Sequence, residues 1–395
     1  MKVAHNSIWC YLFFTIVIAY ALKGLLYPTG TISIAIALVE LLICSFYLIK
    51  TVFFRKRANI VNSLLLIIGV VTLSYLISHK SVLSTIFGRI STFTFFREFA
   101  GAVLAFFPLY YFGAKGLVKA NLLKALFVVI FVVSIFSYFY QTNTLLETRS
   151  KTTEYITSNY AYAFVYLCPF IGLFKNKIAS IPFFAIAIAM SMLSAKRGTI
   201  LGVAVLVVVY IWYLFIKSRH KIFIGFILAL LLIVAWHYIL DYYLDNPYLQ
   251  TRLEATLEGR SSRRDVILIY ILRSFINSSL FQLIFGHGFA STVGAAGNYA
   301  HNDWIEFLYD FGIVGLGCYM SFYFFFVKLI KNIPNQYKLA MIMILVALFL
   351  SSLYSMAFFS NESSYSFMLL GYILGMNRYN NSVTTNTSSI EHYIK

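Results

Sequence analysis

Apolar runs of about 20 residues, each long enough for a helix to cross the hydrocarbon core of a bilayer, recur along the chain between short polar stretches. They predict spans near 8–26, 31–49, 60–78, 98–113, 122–140, 160–174, 178–195, 198–216, 222–240, 304–327, 339–358 and 364–377, twelve in all. The fold class this implies is all-α, a polytopic integral helical bundle. Two stretches fall outside the simple pattern. Residues 79–97, His79-Lys80 through Arg97, are too polar and too long for a turn. They predict a helix lying in the membrane interface, with an extra span as the alternative. Residues 241–303 form one large loop in which helical pieces are expected, notably Asp265 to Phe285, apolar enough to lie along or dip into the membrane surface.

Charge fixes the expected orientation, because short loops rich in Lys and Arg stay in the cytoplasm. Lys50, Arg55, Lys56 and Arg57 follow the second run; Lys115, Lys119 and Lys124 the fourth; Lys175 and Lys177 the sixth. Lys217, Arg219 and Lys221 follow the eighth, and Lys328, Lys331 and Lys338 the tenth. Every second loop is basic, which places both termini in the cytoplasm and the loop 241–303 on the opposite face. The organisation expected is a transmembrane domain over 1–379 and a Ser-, Thr- and Asn-rich disordered tail over 380–395.

Composition narrows the functions. Hydrophobic residues make up 61% and charged residues only 11%, far from a soluble domain. The net charge of +17 is a topology signal and an attraction to anionic headgroups, with no need for nucleic acid. Cys10, Cys44, Cys168 and Cys318 lie inside apolar runs without the paired spacing of a disulfide framework or zinc site. There is no Asp-x-Asp for a metal-bound nucleotide sugar and no Gly-rich phosphate or dinucleotide loop, so neither metal nor cofactor is expected.

The candidate chemistry lies on the face opposite the cytoplasm. Lys196-Arg197 and the cluster Arg260, Arg263 and Arg264 put positive charge where it is disfavoured. Several guanidinium groups on one face suit a diphosphate. Snorkelling, or pairing with Glu254, Glu258 and Asp265, explains any single one of them equally well. Further on stand Gly286-His287-Gly288 and then His301-Asn302-Asp303-Trp304-Ile305-Glu306. The acid-x-x-Glu spacing marks a helix start and puts His301 just before its first turn, where the positive helix end disfavours imidazolium. A neutral histidine at a membrane surface is what a general base needs. Gly312, Gly315 and Gly317 on the same helix are expected to let another helix approach closely.

Together these residues resemble the O-antigen ligase and polymerase superfamily of polytopic inner-membrane proteins. His301-Asn302, then nine residues, then Gly312-Ile313-Val314-Gly315 matches its H-N-x9-G-x-x-G pattern. Gly286-His287-Gly288 is similar to the Gly-x-Gly turn before that histidine, Ser194 to Thr199 to its Ser/Thr-x-x-Arg-Gly segment, and Arg264 with Leu268 to its Arg-x3-Leu region. The likeness covers about 190 to 325.

It implies an enzyme acting on the periplasmic side that transfers a glycan from undecaprenyl diphosphate to a sugar hydroxyl. The implied roles are His301 as base, Arg197 and Arg264, aided by Arg260 or Arg263, on the diphosphate, and Asn302 orienting the histidine. Asp303 or Glu306 would position sugar hydroxyls or cap the helix. Partners implied are the lipid-linked oligosaccharide, the bilayer, and a chain-length regulator and flippase of the same pathway. A polymerase is favoured, with a ligase acting on lipid A core as first alternative and a carrier as second. A carrier predicts two similar halves, and no repeat relates 1–195 to 196–395.

Overall fold

The computed structural model describes residues 2–26, 30–54, 57–78, 82–85, 88–148, 159–194, 196–218, 244–245, 250, 254 and 264–394. Its helices are α1 (Lys2–Leu26), α2 (Thr31–Val52), α3 (Asn59–Ile77), α4 (Thr92–Leu104), α5 (Phe106–Ala114), α6 (Ala120–Thr148), α7 (Tyr162–Leu167), α8 (Ile181–Leu193) and α9 (Arg197–Lys217). They continue with α10 (Arg264–Ile276), α11 (Leu280–Phe285), α12 (Ser291–Ala296), α13 (Asp303–Ile330), α14 (Asn335–Tyr354) and α15 (Ser364–Ile394). A tighter 3-10 helix, Cys168–Leu173, extends α7.

Eleven of the twelve expected spans hold helix; the ninth, 222–240, lies outside the described residues. Seven helical segments among the described residues are long and apolar enough to cross a membrane, with α4 and α5 together forming one of them. The chain is an all-α polytopic membrane protein. The lipid-like exterior agrees: Leu42, Leu66, Leu73, Val208 and Phe324 are exposed apolar side chains on spanning helices.

One expectation needs correction. Where an interfacial helix was expected over 79–97, the described residues form a β-hairpin of β1 (Val82–Thr85) and β2 (Gly88–Ser91). The pair is antiparallel, in register from Val82↔Ser91 to Thr85↔Gly88. The sequence has β-branched Val82, Thr85 and Ile90, which favour a pleated chain, and Gly88 just past the turn. Ser91 then accepts a hydrogen bond from the Phe93 amide and starts α4 six residues ahead of the expected span, which brings Arg97 and Glu98 into its second turn. Beyond the last expected span α15 runs on as helix through 380–394. Polar as it is, it contains no glycine or proline after Gly375 to stop the turn.

The centre of the bundle is the pair α5 and α15. Glycines permit their close approach. A Cβ on Gly375 would lie 2.5 Å from Tyr110 O, one on Gly113 3.0 Å from Tyr372 O, and one on Gly371 would strike Phe106 O. Gly371 and Gly375 form a G-x-x-x-G pair, the spacing that brings two membrane helices into backbone contact. Tyr110, Phe106 and Tyr372 are each 2% exposed or less, so this seam is closed on every side.

Replacing Gly375 by leucine is expected to destabilise the protein by about 1–3 kcal/mol through overpacking. Thermal unfolding in detergent measures it. Leucine at Gly69, which has nothing within 4 Å, should leave the midpoint unchanged.

Candidate active site

The site is organised by a break in α13. At Gly312 the backbone has φ 68° and ψ −166°, a conformation open essentially to glycine alone, so Asp303 to Phe311 form a separate half-helix. A broken helix leaves carbonyls without partners. The turn at Gly286 supplies them: His287 N donates to Tyr309 O and Gly288 N to Asp310 O, each at 3.0 Å. Gly286 has φ 82°, and any Cβ there would collide with Asp310 O, just as one on Gly312 would collide with Ile284 O. The His287 ring stacks on Tyr309 at 4.2 Å and bonds Ser278 through Nε2 at 2.7 Å. Gly286 and Gly288 thus form the expected turn and lock it onto a half-helix ended by Gly312, of which only packing between helices was expected. Gly315 sits against its own Phe311 across the break, and Gly317 has nothing within 4 Å.

Three carboxylates on the half-helix hold the surrounding loops. Asp303, 0% exposed, uses Oδ2 to accept from Ala357 N, Phe358 N and Tyr319 Oη at 2.9–3.1 Å. Glu306 accepts from Ala300 N at 2.6 Å and from the Thr292 hydroxyl. Asp310 Oδ1 accepts from Thr292 N at 2.8 Å. Neither Asp303 nor Glu306 supplies the helix cap. The cap is Asn302, whose Oδ1 accepts from Ile305 N at 3.2 Å while its Nδ2 donates to Leu353 O at 3.1 Å. Its side chain is therefore engaged with the backbone on both sides, next to the histidine that it was expected to orient. Trp304 Nε1 completes the seam to α14 through Ser352 Oγ at 2.9 Å.

His301 stands one residue before that cap with φ 53°, a left-handed conformation uncommon outside glycine. Glu306 fixes the Ala300 amide on one side and Asn302 the helix on the other, so the strain is held from both ends. His301 faces a cleft of about 300 Å³ with Lys196, Arg264, Glu98, Tyr162, Tyr299 and Glu362. Burial lowers its pKa to about 4, with further lowering from the charges of Arg264 and Lys196. The site keeps it neutral. Burial raises the neighbouring Tyr299 phenol, with Glu98 and Glu306 adding to the effect.

Of the expected cations, Arg264 opens α10 and donates through Nη1 to Tyr354 O at 2.6 Å. Arg260 and Arg263 lie outside the described residues. Arg197 is the first residue of α9, and its neighbour Lys196 lines the cleft. The geometry of the helix start decides this. Lys196 is the extended N-cap, and its Nζ lies 5.1 Å from the Tyr162 ring. Gly198 follows because a Cβ there would fall 2.5 Å from Tyr162 Oη and 2.9 Å from the Tyr354 ring. Glu98, Tyr162, Tyr299 and Glu362 escaped the sequence reading, since they come from segments far apart in the chain with no shared spacing. A second, apolar cleft of about 630 Å³ lies beside the Gly286 turn, lined by Leu73, Ile77, Phe281, Phe285, Phe311 and Val314 among others.

Two outcomes test this geometry. Gly312→Ala is expected to cost about 1–3 kcal/mol of stability by forcing a side chain into a glycine-only conformation, while Gly317→Ala leaves it unchanged. An NMR titration of His301 should give a pKa of about 4, and Arg264→Gln or Lys196→Gln should raise it toward 6.5, because removing a nearby cation favours imidazolium.

Residues 182–320 match the family described as O-antigen ligase (Wzy_C), a stretch that contains Lys196, Arg264, His301, Gly312 and Gly315. No curated protein matches the chain. The matched stretch, about a third of the chain, carries the broken helix, the turn that caps it and the histidine at its start, so these parts of the site lie in a segment similar to the O-antigen ligase family.

Proposed function

We propose that this protein is a polymerase of O-antigen or a related surface polysaccharide, a metal-independent inverting glycosyltransferase. It moves a glycan from undecaprenyl diphosphate to a sugar hydroxyl of another lipid-linked repeat unit. The observation that carries this reading is a histidine kept neutral in a cleft that it shares with Arg264 and Lys196. Similarity to a superfamily that works in polysaccharide assembly on lipid-linked sugars supplies the substrate class.

In the proposed step the donor diphosphate lies against Arg264 and Lys196, and His301 takes the proton of the acceptor hydroxyl. The hydroxyl oxygen bonds to the anomeric carbon from the face opposite the diphosphate. The carbon–oxygen bond to the diphosphate breaks, and its electron pair leaves with the diphosphate, stabilised by the two cations. A pKa of about 4 makes a weak base in the empty site. Bound diphosphate offsets the charges of Arg264 and Lys196 and so raises His301 toward the range in which a base works best. The apolar cleft beside the Gly286 turn suits the polyprenyl chain, since its lining is mostly aliphatic and aromatic. The alternation of basic loops supports the periplasmic face of the bacterial inner membrane as the site of reaction, with both termini cytoplasmic.

The ligase reading, with lipid A core as acceptor, is favoured by the description of the matched family and by the His301-Asn302 pattern. Complementation of a strain lacking its polymerase and one lacking its ligase separates the two on a lipopolysaccharide gel. The wild type is expected to restore long chains only in the first. His301→Ala, expressed to the same level, should leave a single capped repeat, and Arg264→Gln should shorten the ladder severely. Restoration in the ligase strain alone would transfer the protein to the other activity. An active His301→Ala would remove the base.

A further inference from the structure

Resting on that reading, we propose that Glu98 and Glu362 form a sugar-selecting end of the cleft, admitting a neutral or amino-bearing ring and excluding one that carries a carboxylate. The cleft is polarised. Lys196 and Arg264 lie with His301, while the carboxylates enter from two other parts of the chain, the second turn of α4 and the loop Asn361–Ser363 ahead of α15. Both acids fall outside the stretch 182–320 that matches the family, whereas the base and both cations fall within it. The chemistry held in the family segment and the acids brought to it are thus separate contributions to one cavity.

The acceptor capacity of these carboxylates is largely unspent. Among the described residues Glu98 makes no hydrogen bond or ion pair, and Glu362 accepts one hydrogen bond, from Ser360 Oγ to Oε2 at 2.6 Å. The two are close enough to repel each other, with Arg97 partly offsetting the charge on Glu98. Lys23 approaches Glu362 from a separate pocket of about 100 Å³ and does not line the cleft. Paired carboxylates of this kind are relieved by a ligand that donates hydrogen bonds or carries positive charge, which a sugar ring rich in hydroxyls or an amino sugar does. A uronic acid brings a third carboxylate into a partly desolvated space, and like-charge contacts of that sort are strongly rejected. Tyr162, Tyr299 and Asn361 also line the cleft and offer further polar contacts to the same ring.

The test uses the full-length protein in nanodiscs and three probes: farnesyl diphosphate, farnesyl diphosphate linked to N-acetylglucosamine, and the same lipid linked to glucuronic acid. The wild type is expected to bind the neutral-sugar probe about tenfold or more tighter than the acidic one. In the Glu98→Gln, Glu362→Gln double variant the ratio should fall to about one, with farnesyl diphosphate affinity unchanged. Equal binding of the two sugar probes by the wild type overturns the proposal, as does a ratio that survives in the double variant. If the double variant fails to fold, Glu98→Gln alone must lower the ratio or the proposal falls. The polymerase reading stands apart: farnesyl diphosphate that binds Arg264→Gln as well as wild type would remove the diphosphate site itself. Affinity that depends on Arg264, with no discrimination between sugars, would remove only the present inference.

Discussion

Everything at the candidate site depends on an interrupted helix being made whole by a turn from elsewhere in the chain. A membrane helix that stops inside the protein must find partners for its last carbonyls, or it carries a penalty of several kcal/mol per group. Here Gly312 stops the helix and the amides of His287 and Gly288 supply two of those partners. Glycine is required on both sides, at Gly286 and at Gly312, because each backbone lies where the other's Cβ would be. The result is a half-helix of nine residues, Asp303 to Phe311, with fixed ends.

The half-helix then serves as a frame. Its acidic side chains face inward and accept the backbone amides of Thr292 in α12, of Ala300 in the loop that follows, and of Ala357 and Phe358 beyond α14. Buried carboxylates are costly unless hydrogen-bonded, and these three are. One of those amides belongs to Ala300, next to His301, so the position of the base follows from a hydrogen bond to Glu306. The end of α14 enters the same frame through Leu353 O, Ser352 Oγ and Tyr354 O, the last of which holds Arg264. Base and cation are thereby referred to one rigid element.

Much of this was legible in the sequence, and the remainder was hidden for physical reasons. Hydropathy located the spans because lipid leaves little choice of element for an apolar run of that length. The helix start at Asp303 was marked by its polar residues, and it placed His301 correctly. The helical pieces in 265–285 were visible as apolar stretches, now α10 and α11. The break at Gly312 was not visible, since a glycine that packs and a glycine that turns the chain are written with the same letter. Four-residue strands are too short to show a period, so the hairpin at 82–91 passed for an amphipathic segment. That Lys196 lines the cleft beside the expected Arg197 depends on a single residue of helix phase. Glu98 and Glu362 were silent because nothing in a sequence says which distant loops will meet.

One contact pair has a consequence for how the site can move. Helix α10, which begins at Arg264, is pinned beyond its other end through Ser278 to His287, and near that end Ser274 meets Tyr309 on the half-helix at 3.2 Å. With Arg264 tied to the end of α14 and the start of α13 tied there as well, the guanidinium and the imidazole belong to a single mechanical block. Glu98, Tyr162 and Glu362 reach the same cleft from three other segments, the last of them four residues after Phe358, which Asp303 also holds. A shift of the half-helix therefore carries base and cation together and leaves their spacing as it was.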